Sequence, residues 1–158
     1  MTRRLATICL VTASWIGAIS PSVLGQDELK GITSLTVGVE KLPVGAKVIG
    51  LNEESIQNDV ELKLRLAGIH IATSKEAGVK VPFLYVRITV LSQAQAANIE
   101  IQIMEEARLL RNGQFAPGVI TWDKGGVVSN PTARLIRDLV KDNVDEFLNA
   151  WLSVNPKK

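Results

Sequence analysis

The sequence predicts an α+β domain: a single mixed sheet of four to five strands with two helices on one face, in the order β-α-β-β-β-β-α. Three observations predict it. Residues 83–90 and 99–103 alternate apolar and polar side chains, the period of a strand with one buried face. Residues 52–67 and 132–152 repeat their apolar positions every three to four residues, the period of an amphipathic helix. The first of these helical segments stands between two short extended segments, and the second closes the chain.

The chain begins with an address. Residues 1–25 read MTRRLATICLVTASWIGAISPSVLG, with Arg3 and Arg4 ahead of an apolar run that Pro21 breaks. A basic start, an apolar centre and tolerated small residues before a cut make a secretory signal peptide, with cleavage expected after Gly25. The apolar run is short for a bilayer span, which takes about 20 residues, and it contains Thr12, Ser14 and Gly17. The remaining residues 26–158 are expected to form one α+β domain.

Export changes the charge arithmetic. The full chain has 158 residues with 18 Lys+Arg and 16 Asp+Glu. Without Arg3 and Arg4 the basic count falls from 18 to 16, and the body is formally neutral. A neutral body has no long-range field for polyanions, so no nucleic-acid partner is expected. The single Cys, Cys9, leaves with the leader, so neither a disulfide nor a lipid-anchored Cys is expected, nor a stable membrane anchor after cleavage. With 46% hydrophobic residues in the full chain, the body has enough apolar matter to fold on its core alone.

Residues 26–31 read as a polar lead-in. Leu35, Val37 and Val39 alternate with Thr36, Gly38 and Glu40 as a first strand, and Pro43, Gly45 and Gly50 mark a loop. Asn52 then caps a helix whose first turn holds Glu53 and Glu54, where the dipole favours anions, and Gly68 supplies a left-handed stop. Ile69 and Ile71 resume extended structure.

In the next strand Leu84, Val86, Ile88 and Val90 face one side, and Phe83, Tyr85, Arg87 and Thr89 the other. Pairing Val90 with Ile99, Ile88 with Ile101 and Val86 with Ile103 gathers the aliphatics on one face. That register sets Arg87 beside Gln102 and Thr89 beside Glu100. It also turns Glu105 inward opposite Leu84, a costly place for a carboxylate, so a bulge is expected near residues 104–106. Residues 119–123, VITWD, read as a short last strand that Gly125 and Gly126 release. Asn130, followed by Pro131, is expected to cap the final helix, whose stripe is Ile136, Val140, Val144, Phe147, Leu148 and Trp151.

Chemistry-bearing patterns are sparse. Metal sites need clustered His, Cys or carboxylates, and the body offers one His, His70, and no Cys, so no metal and no cofactor are expected. No G-x-S-x-G elbow occurs, and the neighbours in Glu53-Glu54 and Glu105-Glu106 diverge on a helix or strand, so no catalytic residue is assigned. Gly113 and Gly118 have phosphate-loop spacing but open a strand; Gly125 and Gly126, ahead of a helix, are a slightly better anion site, with plain loop flexibility the preferred reading. His70 reads as a surface histidine and Glu105 as a bulge feature.

The sheet's second face is where a partner fits. Phe83, Tyr85, Arg87 and Trp122 form the possible interaction surface. Trp122 alternates with Ile120, so both are expected on the same side, and packing in the core is the preferred reading for Trp122.

The stretches LTVGVEKL, LRLAGI, FLYVRITV, ITWD and VDEFLNAWL together resemble small exported bacterial proteins of unassigned function. More loosely, the element order is similar to the amino-terminal domain of the Tol system propeller protein and to envelope lipoproteins that activate penicillin-binding proteins. That resemblance implies protein binding in the cell envelope. The sequence departs from both in lacking a lipid-anchor Cys and an attached propeller, so no functional residue is transferred. The expectation is an exported, periplasmic or secreted, non-enzymatic envelope protein that binds a protein or peptide, through the outer sheet face or the edge of the last strand. A small-ligand carrier, or a hydrolase using Glu105 or His70, is the alternative.

Overall fold

The computed structural model describes residues 27–73, 75–76, 81–91 and 95–156; the expected signal peptide lies outside the described residues. A 3-10 turn at Asp27–Leu29 leads into β1 (Ser34–Val39), α1 (Val44–Val48), α2 (Glu53–Ala67), β2 (His70–Ile71), β3 (Phe83–Val90), β4 (Ala96–Arg108), β5 (Phe115–Ser129) and α3 (Ala133–Val154). The strands make one mixed sheet in the order β2-β1-β3-β4-β5. β1 is parallel to β2 and β3, and the β3–β4 and β4–β5 pairs are antiparallel. The α+β class and the single mixed sheet are as expected.

The long helices are built by their ends and their apolar stripes. The Asn52 side chain accepts the Ser55 N–H at 3.2 Å, and Gly68, at φ 95°, closes α2 in the left-handed conformation. Ile56, Val60 and Leu64 of α2 share one core with Leu35 of β1, Leu84, Val86 and Ile88 of β3, Ile99, Ile101 and Ile103 of β4, and Ile136, Val140, Val144 and Phe147 of α3. The helices therefore lie together on the aliphatic face. Asp59 of α2 accepts Arg137 Nε and Nη2 of α3 at 3.0 and 2.7 Å, with Lys141 Nζ at 3.4 Å, which ties the helices to each other.

Six expectations are corrected. The 43–50 loop contains α1, a one-turn helix that seats Ala46 in the core. The polar lead-in buries Leu29, because α3 reaches it: Trp151 Nε1 donates to Ile32 O at 2.8 Å, and Asn155 bonds both Leu29 O and Gly31 N. The cap of α3 is Thr132, whose hydroxyl accepts the Leu135 N–H at 3.1 Å; Asn130 instead takes φ 49° and donates its N–H to Gln95 O. Asn tolerates the left-handed region, so it makes the turn and the capping passes two residues on.

The β3–β4 register is offset by two residues from the expected one. Ile88 pairs with Ile99, Val86 with Ile101 and Leu84 with Ile103, closed by Leu91 N donating to Ala96 O at 2.9 Å. A two-residue slip keeps every side chain on its face, so hydrophobicity does not distinguish the registers. Opposite charges do: the observed one sets Arg87 against Glu100.

The last strand is fifteen residues long and runs through Gly125 and Gly126, which pair with Glu100 and Ile99. Gly125 belongs there because a Cβ on it would sit 2.6 Å from Ile99 O. The expected bulge region is present, with the extra residues on β5. Thr121 is extra between Trp122, which pairs with Ile103, and Ile120, which pairs with Met104. Pro117 and Gly118 together stand opposite Glu106 in a second irregularity. The bulge at Thr121 breaks the alternation, so Ile120 and Trp122 fall on opposite faces.

Candidate functional site

The face away from the helices gathers residues from four strands. Phe83 and Tyr85 of β3 pack with ring centroids 5.8 Å apart at 34°. The Phe83 ring lies over Gly38 of β1, where a Cβ would come within 2.5 Å of it, so the glycine makes room for the aromatic. Beside them, β4 presents Met104, and the second β5 irregularity presents Pro117 and Gly118. Gly118 has φ 67°, and a Cβ there would meet the Met104 methyl at 3.5 Å. These residues and Val81 line an open groove of about 540 Å³, with Glu105 and Glu106 on its wall.

The other end of this face is polar and paired. Arg87 Nε donates to Glu100 Oε2 at 2.8 Å, its Nη2 reaches the same oxygen, and Asn98 Nδ2 donates to Glu100 Oε1 at 2.7 Å. The Arg87 bond first, then Asn98, holds the Glu100 carboxyl below the usual carboxylate range. The same pairing raises the Arg87 guanidinium. Burial, then acceptance of its hydroxyl proton by Glu40, pushes the Tyr85 phenol up.

Phe83, Tyr85 and Arg87 are thus brought together, and Trp122 is not. The Trp122 ring meets Phe147 of α3 edge-on at 5.3 Å and 68°, on the helix side. Trp122 pairs with the inward-facing Ile103, which sets it on that side, and the bulge at Thr121 turns Ile120 outward. Met104, Val81, Pro117 and Gly118 complete the groove in place of Trp122. Met104 is legible as an outer-face residue from strand alternation, whereas Pro117-Gly118 reads as a turn and gives no sign of facing Met104.

The two residues considered for chemistry stand apart. Glu105 is half-buried, and its Oε1 accepts the Thr121 hydroxyl at 2.9 Å, so the bulge that turns the chain also supplies its partner. Its neighbour along the sequence, Glu106, is exposed. The His70 side chain is 65% exposed on β2, with Nε2 3.7 Å from Glu76 Oε2. Three strand spacings separate β2 from β4, about 14 Å, so Glu105 and His70 do not form one site. A second hollow of about 580 Å³ lies beside α2, where Glu61 accepts both Gln57 at 2.9 Å and Arg65 at 2.6 Å, so these polar groups satisfy one another. Among the described residues no group of three or more His, Cys, Asp or Glu is placed to hold a metal, and no helix is long and apolar enough to cross a membrane.

No protein-family model matches the chain, and no curated protein matches it. Solved structures with a similar outline include a minor lipoprotein from Acinetobacter baumannii, 11% identical with a TM-score of 0.39, the match covering 80% of this chain and 95% of that one. They also include a PelC variant dodecamer from Paraburkholderia phytofirmans, 11% identical with a TM-score of 0.41, covering 77% of this chain and 86% of that one. A likeness to the Tol system protein or to activators of penicillin-binding proteins is not shown, and at this level of similarity neither structure assigns a function to this chain.

Proposed function

We propose that the protein is an exported, non-enzymatic interaction module of the cell envelope, and that its outer sheet face holds an extended, partly basic segment of a partner protein. The observation that carries this reading is the groove of about 540 Å³ beside Phe83 and Tyr85, on the face that the helices leave bare. Aromatic rings and a methionine offer adaptable apolar contact. The charge around them selects the partner: Glu105 and Glu106 on the groove wall and Glu40 beside Tyr85 are acidic, while Arg87, further along β3, is already held by Glu100. A segment bearing Lys or Arg between apolar residues complements that pattern. The leader read in residues 1–25 supports the envelope location.

The test is photo-crosslinking in the envelope fraction from a reactive residue at position 104, with partner segments identified by mass spectrometry. One discrete adduct with a basic, apolar segment is expected, and Tyr85→Asp and Glu106→Lys should each abolish it. Val127→Asp, on an exposed residue of β5 paired across from Asn98 and away from the groove, should leave it intact. An acidic partner segment, or an adduct indifferent to Tyr85→Asp, would sink the proposal.

A further inference from the structure

The β4–β5 hairpin outruns the sheet. The β3–β4 ladder ends at Phe83 and Met104, and Pro82, next in line, has no N–H to extend it. β4 and β5 continue alone through Ala107–Ala116 and Arg108–Phe115, closed by Leu109 N donating to Gln114 O at 2.8 Å. The resulting arm projects about 15 Å at the rise of a strand.

Its tip has an unusual composition for an exposed turn. Residues 107–116 read ARLLRNGQFA, with two arginines and no acid. Leu110 is fully exposed (101%) and Phe115 is 66% exposed, the former the most exposed large apolar side chain among the described residues. Meanwhile the polar groups of the turn are satisfied internally. Gly113 N donates to Leu109 O at 2.7 Å, and Gln114 N to Asn112 Oδ1 at 3.1 Å. Asn112 Nδ2 donates to Gln114 Oε1 at 2.9 Å, and Arg108 Nε to Gly113 O at 3.2 Å. A turn that keeps its own hydrogen bonds enters a poorly hydrating medium at low cost, while its exposed Leu gains by leaving water.

We infer that the arm tip is a lipid contact: Leu110 and Phe115 enter the headgroup–acyl boundary of an anionic bilayer, and Arg108 and Arg111 meet its phosphates. Charge complementarity names the occupant, because a tip with two cations and no acid matches an anionic surface. It also sets the orientation. Glu105 and Glu106 at the arm's base are repelled by the same surface, so the arm meets it tip first. The contact is shallow and reversible, on the scale of one Leu, one Phe and two charges.

The experiment is flotation of the exported form of the protein with vesicles of phosphatidylethanolamine and phosphatidylglycerol, against vesicles of phosphatidylcholine alone. Binding is expected to the anionic vesicles, weakened by salt. Leu110→Asp should lower it at least about tenfold, and Arg108→Gln and Arg111→Gln each roughly fivefold. Because Leu110 touches nothing in the body, Leu110→Asp should unfold at the same temperature as the parent. A Leu110→Trp variant should shift its emission to the blue on anionic vesicles, relative to the parent. Equal flotation of Leu110→Asp and the parent, or tip variants that lose a protein partner while vesicle binding is absent, would overturn the inference. Tyr85→Asp, which spoils the groove, should float as the parent does, so the two proposals fail separately.

Discussion

On the helix side of β3 and β4, Leu84, Val86, Ile88, Ala97, Ile99, Ile101 and Ile103 are all buried within one core. On the other side the same two strands carry Phe83, Tyr85, Arg87, Asn98, Glu100, Gln102 and Met104, which are half-buried; Phe83 packs on Tyr85, and Arg87 and Asn98 hold Glu100. One backbone serves both, yet the two faces are stabilised differently. Area removed from water governs the first, where every methylene is surrounded. Local complementarity governs the second: a ring over a glycine, a guanidinium on a carboxylate, each worth a fraction of what one core side chain contributes. A face organised in that second way can exchange its solvent for a partner without disturbing the fold.

The contrast is sharpest in cavity mutants. Phe147→Ala removes a fully buried ring and the edge contact to Trp122, and should cost about 3–5 kcal/mol in urea unfolding. Phe83→Ala, on the outer face, should cost under about 1 kcal/mol by the same measurement; a loss comparable to Phe147→Ala would erase the distinction.

Two glycines test it at a finer scale. A Cβ at Gly125 would stand 2.6 Å from the Ile99 carbonyl oxygen, and one at Gly38 would stand 2.5 Å from the Phe83 ring. The distances are alike and the neighbours are not. A ladder carbonyl moves only with its strand, whereas a half-buried ring swings aside. Gly125→Ala is therefore expected to cost about 1–3 kcal/mol and Gly38→Ala less than about 1, measured by thermal unfolding.

The smallest effect is electrostatic. The Glu100 carboxyl is held below its ordinary range chiefly by Arg87, so its contribution is full above the ordinary carboxylate range and is lost as pH falls through the lowered folded value. A double-mutant cycle with Arg87→Gln and Glu100→Gln should give a small favourable coupling at neutral pH, weaker than any of the effects above, because both groups are partly solvated. In strongly acidic solution the coupling should vanish. A coupling that persisted there would mean the pair acts through packing and not through charge.

What the sequence disclosed follows the same division. Aliphatic alternation in residues 83–90 and 99–103 and the helical stripes identify the buried face and the class of fold, because burial is a one-body property of each side chain. The register, the length of β5 and the composition of the groove are two-body properties. Ile88 opposite Ile99 and Ile88 opposite Ile101 are equally apolar, and only Arg87 finding Glu100 distinguishes them. Pro117-Gly118 and Gly125-Gly126 are turn signals in isolation; on an edge strand a bulge accommodates the first pair, and close approach of Ile99 O requires Gly125 of the second. Trp122 stands on the core side, the preferred reading of the sequence, and Thr121, by being one residue too many, moves Ile120 to the opposite side.

The latch between the chain's two ends has a consequence for timing. Leu29, Gly31 and Ile32 are secured by Trp151 and Asn155, partners well over a hundred positions downstream. These residues thus cannot be latched until residues 151–155 have been made, and such distant closures are slow to form. The first described segment is therefore among the last parts of the domain to settle into place.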